Sequence, residues 1–211
     1  MKKRITCATT SFRRAFGIAF LAFATFAVSS AFRSEAGAPT ETPEAIHWYN
    51  IEEAQKLSDS IPRRIFIDFS TSWCGWCKKM DAETFANPVI AKYMNANYYC
   101  VKFDAESHDT ITFNGQQFFN RGAANTRSAH DFAVTVLHGQ LSYPSYAIFD
   151  KTRTHITIMQ GYMAADKFEP YLHYYAEEKE NTVTYDEFLK TFKSELPQPV
   201  VPKKPVGPPQ Y

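Results

Sequence analysis

The chain has 211 residues, of which 45% are hydrophobic and 16% aromatic, and its formal net charge is +1. This composition excludes an intrinsically disordered protein, and the length suffices for one domain with a complete hydrophobic core. Residues 1–36 contain six basic residues and one acidic residue, so the remainder contains 17 basic and 21 acidic residues, a net charge of −4. A mildly acidic remainder gives no electrostatic basis for binding nucleic acid.

The first 36 residues have the organisation of a secretory signal peptide. An uncharged, mostly apolar run at residues 15–28 is followed by small residues, and cleavage after Ala31 or after Ala36 fits equally well. The run is shorter than the ~20 residues that a membrane-spanning helix requires. We therefore expect a protein exported to the periplasm or cell envelope, with an uncleaved membrane anchor as the alternative. The positive charges that precede the run are Lys2, Lys3, Arg4, Arg13 and Arg14.

A folded domain is predicted for residues 46–196, after a flexible lead-in at residues 37–45 that is rich in Ala, Pro, Thr and Glu. Asn50 and Glu53 have the spacing of a capping box, which predicts a helix that extends to about Ser60. The four elements that follow are a strand at 64–70, a helix from Cys74 to about Ala82, a helix from Asn87-Pro88 to about Asn95, and a strand at 98–104.

Residues 105–140 are predicted to be an insertion. It contains a hairpin between Thr110 and Phe119 around the turn Asn114-Gly115, and a helix at 128–137 with one apolar face. The remaining elements are strands at 145–150 and 155–160, a helix at 166–178, and a short helix from Thr184 to about Glu195.

The order of these elements predicts an α/β fold. Strands that alternate with helices imply a central mixed sheet covered by helices on both faces, and the short connection between the last two strands makes that pair antiparallel. Residues 197–211 contain six of the twelve prolines and are predicted to be a disordered or polyproline-II tail.

The strongest chemical signal is the run WCGWCK at residues 73–78, which follows a buried strand and opens a helix. Cys74 at the helix N-terminus would be stabilised as a thiolate by unpaired N–H groups and the helix dipole, and the thiolate is the nucleophilic form of cysteine. Cys77, one turn further on, is placed to attack a mixed disulfide on Cys74. This motif beside a strand–helix pattern is typical of redox chemistry.

A static disulfide and half of a zinc site are the alternatives for the cysteine pair. A structural zinc site needs four ligands, and the sequence has no second C-x-x-C and no matching His pair, so we predict no metal site. Cys100 lies on a predicted strand and is expected to be a buried, inert thiol. The three histidines in or near the insertion are expected to be surface or capping residues: His108, His130 and His138.

On these residues the chain resembles the thioredoxin superfamily, over about residues 45–178, and more narrowly it resembles small secreted thioredoxin-like proteins of bacterial envelopes. Asp68 lies six residues before Cys74, where thioredoxins have a buried acid, and Lys102 resembles the lysine beside that acid. Tyr143-Pro144 resembles the cis-proline loop that faces the cysteines. The resemblance thus implies a thioredoxin fold with an active-site Asp68, Lys102 and Pro144.

Each of these three residues also has a simpler interpretation. A buried carboxyl has a raised pKa and is able to accept the proton of Cys77, but Asp68 could instead make only structural hydrogen bonds. Lys102 could balance that charge or be a solvated lysine at the edge of a strand. Pro144 could be an ordinary turn proline rather than a cis-proline.

The resemblance implies a thiol-disulfide oxidoreductase whose only redox group is the Cys74–Cys77 pair, without a bound cofactor. We expect a thioredoxin-like reductase that is monomeric, acts on protein disulfides and dithiols, and is recharged by an upstream electron donor. A disulfide isomerase or oxidase, or a module that captures one partner as a mixed disulfide, are the alternatives. Trp73 is expected to pack against the site and shield it, and Trp76 to be exposed for docking or to fill space. The expected substrate-binding residues are Trp73, Gly75, Trp76, Tyr143 and Pro144.

Overall fold

The structure is a computed structural model that describes residues 44–124 and 126–197. The predicted signal peptide, almost all of the lead-in and all but the first residue of the proline-rich tail lie outside these ranges. Within them, no helix is both long enough and apolar enough to cross a membrane.

The described residues form a five-stranded mixed sheet and a separate two-stranded hairpin. The sheet has the strand order β1-β3-β2-β6-β7, with parallel pairing of β3 to β1 and to β2, and antiparallel pairing of β6 to β2 and to β7. The strands are β1 (Trp48–Tyr49), β2 (Arg64–Ser70), β3 (Tyr98–Asp104), the hairpin strands β4 (Ile111–Phe113) and β5 (Gln116–Phe118), β6 (Ser145–Phe149) and β7 (His155–Gln160).

Six α-helices accompany the strands in the described part of the chain. They are α1 (Ile51–Ser60), α2 (Gly75–Met80), α3 (Pro88–Asn97), α4 (Asp131–Val136), α5 (Ala165–Ala176) and α6 (Tyr185–Thr191). A π-helical turn, Asp81–Phe85, continues α2, and a 3-10 turn, Lys179–Asn181, precedes α6.

The predicted order of elements is confirmed, and most boundaries agree within two residues. The two capping boxes form as predicted, Asn50 with Glu53 at α1 and Thr184 with Glu187 at α6. Strand β1 was not predicted, because two residues are too few to show an alternating pattern.

Two helices are shorter than the sequence predicts. Helix α4 begins at Asp131 because the ring Nδ1 of His130 accepts the N–H of Phe132 and caps the helix. His130 is therefore a capping residue, but it is completely buried rather than at the surface. Helix α6 ends at Thr191 instead of about Glu195, because the N–H of Glu195 bonds to the Glu169 carboxylate of α5 (2.7 Å).

The core has two layers, one on each face of the sheet. Along β2, Ile65, Ile67 and Phe69 pack against α1, the hairpin and α4, whereas Phe66 on the opposite face packs against α2, α3 and α5. Both faces of β2 are therefore buried, as expected for a central strand that is covered on two sides. Because the side chains of a strand alternate, Asp68 lies on the same face as Phe66, beneath α2.

The insertion is part of the core and not an appendage. Phe132 of α4 is completely buried, with its ring 5.2 Å from Phe103 and Phe113, 5.3 Å from Phe118 and 5.8 Å from Phe69. One aromatic side chain thus joins α4, the hairpin and two strands of the main sheet.

We expect Phe132→Ala to destabilise the whole domain by about 3–5 kcal/mol, because it leaves a cavity where four aromatic rings meet. Urea unfolding followed by circular dichroism should show one transition at a lower midpoint. Val134→Ala, at an exposed position of the same helix, is the matched control and should change stability by less than about 1 kcal/mol. A partial transition confined to the insertion would show that it folds separately.

Candidate active site

Cys74 and Cys77 form a disulfide at the start of α2. Their Cα atoms are 5.3 Å apart, and the Cys74 sulfur accepts the backbone N–H of Cys77 at 3.0 Å. Cys74 is thus the N-cap of the helix, with extended backbone (φ −73°, ψ 101°), and its sulfur occupies the place where a side-chain oxygen usually caps. In the reduced protein the same N–H would stabilise a thiolate on Cys74.

Asp68 lies at the centre of a small charged cluster. It is 1% exposed, and its Oδ2 accepts a hydrogen bond from Lys102 Nζ at 3.1 Å across the parallel pair β2–β3. The same ammonium group donates to the carboxylate of Asp81, which lies in the turn after α2. Lys102 is therefore held between a buried and an exposed carboxylate, and it is not the freely solvated lysine of the simpler interpretation.

The environment raises the pKa of Asp68 from 3.8 to about 6. Burial is the main cause, and the positive charge and hydrogen bond of Lys102 offset part of it. Burial alone would lower the pKa of Lys102, but Asp68 and Asp81 together raise it above its ordinary value. The lysine stays charged at neutral pH, while the buried carboxyl exchanges its proton close to neutrality.

A cleft of about 390 Å³ connects this cluster with the cysteines. Cys77, Lys78, Asp81 and Lys102 are among the residues that line it. Cys77 and Lys102, the lysine that holds Asp68, thus line the same cleft.

The loop before β6 meets the cysteine turn at the same edge of the sheet. Because β6 is antiparallel to β2 and Ser145 pairs with Phe69, Pro144 lies beside the carboxyl end of β2, where the chain turns toward Cys74. The Tyr143–Pro144 peptide bond is cis. The Pro144 carbonyl accepts the N–H of Gly161 (2.8 Å), and within the described ranges the N–H and C=O of Tyr143 make no hydrogen bond.

Trp73 is exposed, whereas the neighbouring Cys74 and Cys77 are buried, so its shielding role stays a prediction. It is 48% exposed, and its indole N–H donates to Glu106 at 2.9 Å. The Arg127 guanidinium lies 5.0 Å from its ring, and the ring of Tyr143 packs edge-on at 6.3 Å. Glu106 and Arg127 belong to the insertion, so its residues hold the tryptophan in an outward position.

Trp76 forms a second aromatic surface on the other flank of the cysteines. It is 59% exposed, its ring lies 5.7 Å from Tyr162, and the Lys79 ammonium lies over both rings at 5.3 and 4.9 Å. Gly75 lies between the two tryptophans in sequence, and a side chain there would meet no other group within 4 Å. The disulfide is thus flanked by exposed aromatic rings on both sides, while Cys74 and Cys77 themselves are buried.

Cys100 lies apart from this chemistry. It is a completely buried free thiol among the side chains beneath α3 and α5, and burial raises its pKa far above the usual range. A thiol that does not ionise is a poor nucleophile. The position agrees with the inert thiol that we predicted.

The raised pKa of Asp68 predicts a pH-dependent penalty to folding. In the unfolded chain this carboxyl ionises near its ordinary pKa of 3.8, but in the folded protein only near 6, so ionisation disfavours the folded state. The penalty is absent below about pH 4, grows up to about pH 6 and is complete above it. Asp68→Asn should therefore stabilise the oxidised protein by about 2 kcal/mol near pH 8 and by almost nothing near pH 4.

Urea unfolding of the oxidised protein at the two pH values measures this difference. Asp81→Asn is the matched control for the loss of a Lys102 partner, because that more exposed carboxylate bonds the same ammonium group. An equal effect of Asp68→Asn at both pH values would contradict the assignment of a buried carboxyl that titrates near neutrality.

Residues 38–140 match the family model Thioredox_DsbH, which is described as a protein of unknown function, DUF255. Spermatogenesis-associated protein 20 of Mus musculus is 31% identical over 67 residues, and an uncharacterized protein of Archaeoglobus fulgidus is 32% identical over 69 residues. Each alignment includes 31% of this chain, but 8% of the mouse protein and 54% of the archaeal one. An uncharacterized protein of Caenorhabditis elegans is 35% identical over 68 residues, which are 9% of its length.

Among solved structures, the chain is similar to a DsbH oxidoreductase (TM-score 0.46, 13% identity, 63% of this chain and 85% of that one). It is also similar to a thioredoxin from Thermus thermophilus (TM-score 0.45, 16% identity, 61% and 85%). The strand order and the helices on both faces of the mixed sheet show that this α/β chain has the thioredoxin fold, and its residues 38–140 are similar to the Thioredox_DsbH family.

Proposed function

We propose that this protein is a thiol-disulfide oxidoreductase that reduces disulfides in other proteins through Cys74 and Cys77. The observation that supports this most directly is the capping contact: the sulfur of Cys74 accepts the N–H of Cys77 at the start of a helix. In the reduced protein a sulfur in this position is stabilised as an anion. In the structure the second cysteine, Cys77, is bonded to it as a disulfide.

The reaction begins with the reduced pair. The Cys74 thiolate attacks one sulfur of a substrate disulfide, a bond forms between the two sulfurs, and the other substrate sulfur leaves as a thiolate that takes a proton from water. The Cys77 thiol then gives its proton to the Asp68 carboxylate and attacks the sulfur of Cys74. The mixed disulfide breaks, the second substrate thiolate leaves, and two electrons have passed from the cysteine pair to the substrate.

Asp68 suits the role of proton acceptor in the second half of this cycle. A general base is most effective when its pKa lies near the working pH, and burial brings the pKa of Asp68 to about 6. Lys102 keeps the carboxylate compensated after ionisation and itself borders the cleft beside Cys77.

The groups around the disulfide suit an extended protein segment as substrate. The free N–H and C=O of Tyr143 can pair with a substrate backbone in the manner of an added strand. Trp73 and Trp76 offer aromatic surface for side chains on both sides of the reacting sulfur. Pro144 sets the direction of that loop, and Gly75 leaves space above the disulfide.

We further propose that reduction is the working direction, with an upstream dithiol donor that restores Cys74 and Cys77 after each turnover. A monomer exported to the periplasm or cell envelope is our proposal for its state and location. The support for export is the pattern of charged, apolar and small residues within positions 1–36.

The first test is turnover together with trapping. With dithiothreitol as the electron source, the wild-type protein should reduce the disulfides of insulin catalytically. Cys77→Ser should stop turnover and accumulate a mixed disulfide that dithiothreitol releases, because the attacking sulfur remains and the resolving one is gone.

Cys74→Ser is the matched control and should neither turn over nor trap substrate. Absence of insulin reduction by the wild type would contradict a general reductase. If Cys77→Ser then traps one partner from cell extract while the wild type shows negligible turnover, the protein is a capture module instead.

The second test is the reduction potential of the Cys74–Cys77 couple, measured by equilibration with glutathione buffers and alkylation of free thiols. We expect a value near the ~−270 mV of thioredoxin, and a value near the ~−120 mV of the strongest oxidant of this fold would instead indicate disulfide formation. Cys100→Ala removes the third thiol from the assay and should leave the potential unchanged, because Cys100 lies outside the site.

A further inference from the structure

A tyrosine on β6 lies directly opposite Asp68. Tyr146 is the cross-strand partner of Asp68 in the antiparallel pair β2–β6, so the two side chains are on the same face of the sheet. Tyr146 is completely buried. Its ring stacks on Phe66 at 5.7 Å and packs against Phe85 and Phe168 at 6.0 and 5.8 Å, which holds the ring in place.

Both side chains have a buried polar atom that lacks a partner. Of the two carboxylate oxygens of Asp68, Oδ2 accepts the hydrogen bond from Lys102. The other oxygen, Oδ1, has no hydrogen-bond partner among residues 44–124 and 126–197. The hydroxyl of Tyr146 also lacks one within the same residues. Buried polar atoms are nearly always satisfied in native proteins, so two unsatisfied neighbours at a site of proton transfer point to a shared function.

The surrounding charges are consistent with a hydroxyl that faces the acidic cluster. Burial raises the pKa of Tyr146 far above its ordinary value, and the negative charges of Asp68 and Asp81 raise it further. The hydroxyl is therefore protonated at every working pH and is available as a donor. The charged and titratable groups around Asp68 on the neighbouring elements are Lys102 of β3, Asp81 of the turn after α2 and Tyr146 of β6.

We infer that Tyr146 is a positioning residue for Asp68, and that its hydroxyl donates a hydrogen bond to the Oδ1 side of the carboxylate when Asp68 is ionised. This inference rests on the proposed function, because ionised Asp68 is the form that accepts the proton of Cys77. The ionised carboxylate then has one donor on each oxygen, Lys102 at Oδ2 and Tyr146 at Oδ1. Protonation of Asp68 removes the need for the second donor.

The expected consequence is a shift of the Asp68 titration. A hydrogen bond to the charged form of a carboxyl favours that form, so removal of the hydroxyl should make Asp68 harder to ionise. Tyr146→Phe keeps the ring and its packing and removes only the donor. We expect the midpoint of the Asp68 titration to rise by about one pH unit, a tenfold increase in proton affinity.

The experiment follows the Asp68 carboxyl carbon by NMR over a pH series in the oxidised and reduced proteins, and it needs no substrate. In parallel, the rate at which Cys77 resolves a preformed mixed disulfide on Cys74 is measured against pH. In Tyr146→Phe, the acidic limb of that rate profile should move to higher pH, by as many pH units as the Asp68 midpoint. Added to Asp68→Asn, Tyr146→Phe should no longer move the profile.

Tyr98→Phe is the matched control, because Tyr98 is an equally buried tyrosine whose hydroxyl donates to the Leu172 carbonyl at 2.6 Å. It should lower stability and leave the Asp68 midpoint unchanged. If Tyr146→Phe shifts the Asp68 midpoint no more than Tyr98→Phe does, the inference is wrong. If Tyr146→Phe shifts the Asp68 midpoint but the wild-type protein does not reduce insulin, the positioning role stands and the proposed function is wrong.

Discussion

The site depends on one contact, the hydrogen bond from the Cys77 N–H to the sulfur of Cys74. It begins α2 with a sulfur in place of an oxygen, so the residue that caps the helix is also the one that we propose as the nucleophile. The sheet makes this contact possible: β2 is a covered central strand that ends at Ser70, and three residues separate it from the cap at Cys74. The reactivity of Cys74 is thus a property of where the strand ends and the helix begins.

The same strand explains why a carboxyl is buried beneath the cysteines. Its alternation places Asp68 on the face covered by α2, among aromatic side chains, and an isolated ionised carboxylate would be strongly unfavourable there. Lys102 reaches it from β3 and leaves one oxygen unsatisfied, so the carboxyl stays in the folded protein with a pKa near 6. Burial disfavours the ionised form of Asp68, and the positive charge of Lys102 offsets part of this effect. The carboxyl is therefore able to take up and release a proton near neutrality, and its burial lowers the stability of the folded protein.

The sequence predicted the elements well because their signals are local. The cysteine spacing, the apolar strand before it, the two capping boxes and the Asn-Gly turn each depend on a few neighbouring residues, and each is found where expected. Asp81, Glu106 and Arg127 were not recognised, because exposed charged residues gain meaning only from long-range contacts. The contacts of Trp73 could not be predicted for the same reason, since nothing near it in sequence shows that Glu106 and Arg127 lie against its ring.

These long-range contacts assign a physical role to the insertion. Phe132 anchors it in the core on the face opposite Asp68, and the side chain of Asn120 donates to the carbonyls of Glu106, Ser107 and Ser128, which fixes the segment that reaches Trp73. The insertion therefore leaves the thiol chemistry to β2, β3 and α2 and shapes one wall of the surface where a substrate would lie. Because the two core layers are separated by the sheet, the insertion reaches Trp73 without packing against Asp68.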